Sequence, residues 1–123
     1  MPKHIRMKRV YETPTDDDGR RILVERLWPR GISRDRAAVD LWLKDIAPSP
    51  ELRRWYGHDV SKWEEFRRRY EAELDANPDV VAELERLARQ GTVTLVFASR
   101  DETRCSARVL KEYLEERIGS GRR

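Results

Sequence analysis

Cysteine and histidine are the scarce residues of this chain: its 123 residues hold one cysteine, Cys105, and two histidines, His4 and His58. A single thiol excludes an intrachain disulfide framework and a zinc site built on several thiolates. Two histidines do not make a metal site by themselves, so no metal is expected. Long apolar runs are missing too. None approaches the roughly 20 residues that span a bilayer, and Met1–Tyr11 lacks the apolar stretch of about 7–15 residues that marks a signal peptide. The chain is therefore read as cytoplasmic, with no membrane partner. It also lacks a Walker A loop, G-x-G-x-x-G, G-x-S-x-G, H-E-x-x-H and any clustered Cys/His pattern. No cofactor is expected, and no residue set defines a reaction.

What the chain has is charge in near balance, 26 Lys and Arg against 23 Asp and Glu, for a net +3. Disordered chains combine low hydrophobicity with high net charge. Here the net charge is small, and four Trp, four Tyr and two Phe are spread along the chain. A folded protein is expected, and this length suits one domain, 1–118, with 119–123 as a loose tail. A pI of about 9.2 admits a nucleic-acid partner. The longest basic run, Arg67–Arg69, lies inside a predicted helix and reads more simply as a solvated face.

Ile5–Tyr11 alternates like a strand, and Glu12–Arg20, with Pro14 and Asp16-Asp17-Asp18-Gly19, reads as a polar loop. Ile22–Val24 suits a buried strand. Ser33 can cap a helical turn over Arg34–Ala38. Val39–Leu43 alternates as a strand, with a continuous helix from Arg34 to Ile46 as the alternative. Ser49-Pro50 starts a helix that runs to Tyr56 and stops at Gly57. Ser61-Lys-Trp-Glu64 has the form of a capping box, and Trp63, Phe66, Tyr70 and Leu74 share one helical face. Asn77-Pro78 begins a further helix with Val80, Leu84 and Leu87 inward and a stop at Gly91. Thr92–Ala98 is the strongest strand, and a helix over Glu102–Ile118 follows. Strands separated by helices predict a small single α/β domain, with a central, mainly parallel sheet of about four strands flanked by helices. About nine residues join the first two strands, which leaves their mutual direction open.

Three loops that follow predicted strands carry cations. Ser99-Arg100-Asp101 ends the strongest strand, where open α/β sheets bind ligands. A helix N-terminus there, with Arg100 and Arg104, suits an anion or phosphate. The plain reading is a capped connection, with Asp101 as the cap. Arg26, Trp28, Arg30 and Gly31 form a second turn, whose guanidiniums could clamp a carboxylate or phosphate. The plain reading is that Trp28-Pro29 packs a corner while the arginines pair with neighbouring Asp and Glu. Lys44 follows the third strand. Cys105 near a helix start is a weak catalytic candidate, because Cys105, Val109 and Tyr113 share a helical stripe that points to the core. His58, beside Asp59, is a second weak candidate as a general base, or else a surface residue at a helix end.

The strings Arg26-Leu-Trp-Pro-Arg-Gly-Ile-Ser33, Trp42-Leu-Lys-Asp-Ile-Ala-Pro-Ser49 and Leu52-Arg-Arg-Trp-Tyr-Gly-His58, with Thr94-Leu-Val-Phe-Ala98, resemble the YeaO-like branch of the DUF488 family. The resemblance runs from about Arg9 to Leu114. It implies a compact α/β domain with a mainly parallel sheet and a strand at Val39–Leu43, and it supplies no reaction, substrate or cofactor. Longer members of the wider family carry Cys-x-Glu at the last strand end and Cys-His-Arg at the next helix start. Phe97, Ser99 and Ser106 stand in place of that Cys, Glu and His, while Cys105 is kept. The leading expectation is a small anionic, phosphate-bearing ligand held by Arg26, Arg30, Lys44, Arg100 and the turn at Ser99 and Asp101, with Trp28, Gly31 and His58 at the border. The alternative is a nucleic-acid-binding or regulatory interaction module without catalysis. A homodimer is the third expectation.

Overall fold

A computed structural model describes residues 5–120 of the chain. Four strands, β1 Ile5–Arg9, β2 Arg20–Leu23, β3 Leu41–Trp42 and β4 Val93–Phe97, form one sheet in the order β1-β4-β2-β3. Every neighbouring pair is parallel. β4 is central and buried along its whole length, as a continuous apolar run in a parallel sheet should be. The helices are α1 Arg34–Ala37, α2 Pro50–Tyr56, α3 Trp63–Asp75, α4 Pro78–Gln90 and α5 Ser106–Ser120. This is the expected α/β fold.

The direction of the first two strands is set by β4. β1 and β2 are not neighbours; each runs parallel to β4, with Ile5 and Arg20 both opposite Val93. The ten residues Val10–Gly19 make this crossover with only a 3-10 turn at Asp16–Asp18. Ten extended residues reach about 33 Å, and a return along five strand residues needs only about 17 Å. A helix is unnecessary.

Alternate strand residues feed two separate cores. Ile22, Leu95 and Phe97 pack on one face against Leu52, Phe66, Tyr70, Leu84, Leu110 and their neighbours from α2 to α5. Leu23 and Val96 point the other way, onto Val10, Ile32 and Ala37, with Trp28 and Trp42 beside them. The second face has only one short helix, and charge completes it. The buried Asp18 carboxylate accepts from Arg21 Nη1 at 2.7 Å, Lys8 Nζ at 3.1 Å, Thr15 Oγ1 at 3.0 Å and the Thr15 N–H at 3.1 Å. Arg21 Nη2 also donates to Ala37 O at 2.6 Å, and Thr94 Oγ1 donates to Asp18 O at 2.6 Å. One carboxylate thus ties β1, β2 and the crossover together, while its backbone ties them to β4. Burial works to raise the Asp18 pKa, but the Thr15 N–H, Lys8, Thr15 hydroxyl and Arg21 outweigh it and hold the carboxyl well below its usual range. Gly19 follows at φ +62°, and a Cβ there would lie 2.3 Å from Thr92 O.

Several expected boundaries move. β1 ends at Arg9 rather than Tyr11, because the Glu12 carboxylate and N–H both bond back to Arg9. Arg20 belongs to β2 rather than to the loop. The strand expected at Val39–Leu43 is present as Leu41–Trp42, with Asp40 and Leu43 N–H groups still bonded to β2. A continuous helix over Arg34–Ile46 is excluded by Ala38, which ends α1 in the left-handed region. The capping box at Ser61 does not form. Asp59 accepts from the Ser61 N–H and hydroxyl, a 3-10 turn spans Val60–Lys62, and α3 starts at Trp63. The last helix starts at Ser106 rather than Glu102. Asp101 Oδ1 accepts from the Thr103 and Arg104 N–H groups, which holds this stretch in a local turn. α5 includes Gly119 and Ser120, and the remainder of the expected tail, 121–123, lies outside the described residues.

Removing the Asp18 charge leaves the Arg21 guanidinium buried and unpaired. Asp18→Asn should lower unfolding free energy by about 3 kcal/mol or more in urea titration. Because the folded carboxyl is depressed, its contribution is full above the unfolded value of about 4 and fades as pH falls toward the folded one. The gap between wild type and Asp18→Asn should therefore narrow as pH is lowered from about 5 to about 2. Gly19→Ala should also destabilise, by more than about 1 kcal/mol, since a backbone carbonyl blocks the new methyl group.

Candidate functional site

A parallel sheet places all four strand carboxyl ends at one edge. There β2 and β4 lie side by side, but their chains leave over opposite faces. β2 leads to α1 and the smaller core, whereas β4 leads to α5, packed on β1 and β4. Such a reversal opens a crevice between neighbouring strand ends. The loops around it are fixed by hydrogen bonds. Glu25 Oε2 accepts from Ala98 N–H at 2.9 Å, bridging the ends of β2 and β4. Arg9 Nε donates to Ser99 O at 2.9 Å and its Nη2 to Ala98 O at 3.2 Å. Arg26 Nη2 donates to Ala47 O at 3.0 Å, holding the approach to α2.

The crevice is a cleft of about 540 Å³. Its buried lining is Pro48, Phe66 and Cys105, with half-buried Tyr56 beside them. Phe66 and Tyr56 rings lie 4.6 Å apart, and Trp63 stacks behind Phe66 at 5.6 Å. Its exposed lining carries Arg53 and Arg54 from α2, His58 just beyond it and Arg104 ahead of α5. Among the described residues, no ion pair or hydrogen bond engages the guanidinium groups of Arg53, Arg54 or Arg104, the last being held only through its backbone N–H. Glu25 is the one carboxylate in the lining, and it is committed to Ala98. The cleft therefore joins an apolar base to a positively charged mouth.

Burial raises the Cys105 thiol pKa, and the N–H groups of Arg108 and Ala107 only partly oppose this. The thiol stays protonated at neutral pH and serves as part of the apolar base. Burial also raises the Tyr56 phenol, helped by Asp101 and opposed by Arg104. His58 follows Gly57 in the left-handed region, at φ 62° and 52° respectively. That tandem turn carries the chain past the mouth with the imidazole exposed.

Of the residues proposed from sequence, Ser99, Arg104, His58 and Cys105 line the cleft. Arg26 is bonded to carbonyls, with Asp45 at 3.8 Å. Trp28 packs a corner: its Nε1 donates to Ile32 O, and it meets Trp42 edge-on at 5.5 Å. Arg30 is exposed and its carbonyl accepts from the Tyr11 hydroxyl, while Gly31 turns the chain at φ +74°. Lys44 lies over the Trp42 ring at 4.3 Å. Arg100 is exposed outside the lining, and Asp101 is engaged in its local turn. Arg53 and Arg54 were not signalled as site residues, since on a short helix they read as ordinary solvated positions. In the basic run, Arg67 pairs with Glu71 and Glu112, and Arg68 and Arg69 pair with Glu65.

Among the described residues, no helix is long and apolar enough to cross a membrane, and no group of three or more His, Cys, Asp or Glu could hold a metal ion. The fold and cleft define a small all-parallel α/β protein with a ligand-sized crevice at the strand carboxyl edge. A family model described as "Inactive DUF488-N3 subclade" matches residues 4–122, and the chain belongs to this DUF488 family. It is 45% identical over 113 residues to the uncharacterized protein Rv3073c of Mycobacterium tuberculosis, covering 92% of this chain and 95% of that one. It is 40% identical over 111 residues to the uncharacterized protein YeaO of Escherichia coli, covering 90% and 96%. No solved structure matches the chain.

A buried thiol of raised pKa should react slowly. Native protein at neutral pH should be alkylated by iodoacetamide at Cys105 about tenfold or more slower than a free small thiol, and unfolding in urea should restore the rate. Mass spectrometry of timed samples measures both.

Proposed function

We propose that the protein binds a small anionic, phosphate-bearing ligand in the cleft at the ends of β2 and β4, as a binding protein rather than a catalyst. The observation that carries this reading is the charge at the mouth. Among the described residues, the Arg53, Arg54 and Arg104 guanidinium groups line one cleft without ion-pair partners, and the one carboxylate in its lining, Glu25, already accepts a hydrogen bond. An unpaired, planar guanidinium can donate two parallel hydrogen bonds to a pair of phosphate or carboxylate oxygens. Ser106, the first residue of α5, also lines the cleft, so the positive end of that helix adds to the same field.

Two further observations favour binding without turnover. Ser99, Cys105 and Ser106 occupy the cleft lining at positions where longer family members carry Glu, Cys and His, and the matched subclade is described as inactive. The remaining thiol is held protonated by burial. The lining thus keeps a place for an anion, while its one thiol is held in the unreactive, protonated form.

Isothermal titration with inorganic phosphate and pyrophosphate tests the reading. Arg54→Gln combined with Arg104→Gln should weaken binding by about tenfold or more, because charge-assisted hydrogen bonds are lost from both walls. Both residues are exposed, so the circular dichroism and melting curve should stay as in the wild type. Unchanged affinity in the double variant would overturn the assignment.

A further inference from the structure

The size and lining of the cleft say more about its ligand than charge alone. A water molecule takes about 30 Å³, and an inorganic anion fills only a few such volumes. The cleft measures about 540 Å³, inside the range of roughly 300–1,000 Å³ that holds whole organic ligands. An inorganic ion at the mouth would leave most of that space to water.

The base of that space is apolar, closed by Pro48, Phe66 and Cys105. A polar ligand body placed against that base would exchange water for surfaces that return no hydrogen bonds. Tyr56 and Phe66, whose rings lie 4.6 Å apart, offer instead aromatic surface. Leu27 is 73% exposed and lines the same cleft. A lone exposed leucine needs no explanation on an ordinary surface. In the wall of an apolar cleft it is contact area that a ligand would cover.

Resting on the anion reading above, we infer that the natural ligand is an organic anion with a flat apolar body, charged end at Arg53, Arg54 and Arg104, and body over Phe66 and Tyr56 against Leu27. Neither inorganic phosphate nor a small polar phosphoester satisfies both halves of the site.

Titration calorimetry with three probes of like charge tests this: inorganic phosphate, glycerol 1-phosphate and phenyl phosphate. Phenyl phosphate should bind about tenfold or more tighter than the other two, from the apolar area it buries. Leu27→Ala should remove at least half of that advantage while leaving inorganic phosphate affinity within about twofold, and the exposure of Leu27 leaves the fold intact. Equal affinity for phenyl and inorganic phosphate would overturn the apolar-body inference and leave the anion site standing. An undiminished phenyl advantage in Leu27→Ala would overturn it too. No binding of any probe at millimolar concentration would overturn the anion site and this inference together.

Discussion

The buried pair of Asp18 and Arg21 is the constraint on which the architecture turns. A two-layer α/β fold needs something over both faces of its sheet, and four of the five helices here lie on one of them. The other face is closed by a crossover that has no helix of its own. Such a loop has little apolar surface to hold it down. The carboxylate of Asp18 does so instead, by receiving Lys8 from β1, Arg21 from β2 and two groups of Thr15. Arg21 then passes the tie on to the carbonyl of Ala37 at the end of α1. A buried ion pair is often no better than a well-packed apolar cluster. Its use here is positional: it fixes where an otherwise unsupported segment crosses β4.

That fixed crossover keeps β1 and β2 pointing the same way, and the candidate site follows from it. With every strand parallel, the cations that end strands arrive at one edge. They divide into two groups with different work. Arg9 and Arg26 are spent on backbone carbonyls and hold loops in place. Arg53, Arg54 and Arg104 have no such duty among the described residues. Elsewhere on the surface, arginines on α3 and α4 are matched by glutamates within a helical turn. Such exposed pairs contribute little to stability, but they lower the local field. Three unmatched guanidinium groups therefore stand where the cleft opens.

Much of this was legible in the chain where the signal is local. Ser49-Pro50 and Gly57 delimit α2 as read, and the Thr92–Ala98 run contains β4. The stripe of Phe66, Tyr70 and Leu74 is buried, with Trp63 at its edge. Signals that depend on distant partners were opaque. Asp16-Asp17-Asp18-Gly19 has the composition of a solvated turn, and its third aspartate is buried only because Lys8, Arg21 and Thr94 meet it from three strands. At Ser61 two local caps competed, and the carboxylate of Asp59 took the hydroxyl that the capping box required. The site was half legible for the same reason. Strand-end loops could be named from sequence, but only the topology brings α2 beside the end of β4.

The central position of β4 has a bearing on how the protein is made. It is the last strand among the described residues, yet both β1 and β2 must pair with it. During synthesis the ribosome releases β1, β2 and β3 before the strand that joins them exists. Until then β1 has no neighbour, and β2 has only the two residues of β3. The sheet is therefore completed by insertion rather than by stepwise addition at an edge. Contacts of such long sequence separation make folding slow, and the waiting strands carry the charge that disfavours pairing with other chains: Arg6, Lys8 and Arg9 on β1 and Arg20 and Arg21 on β2.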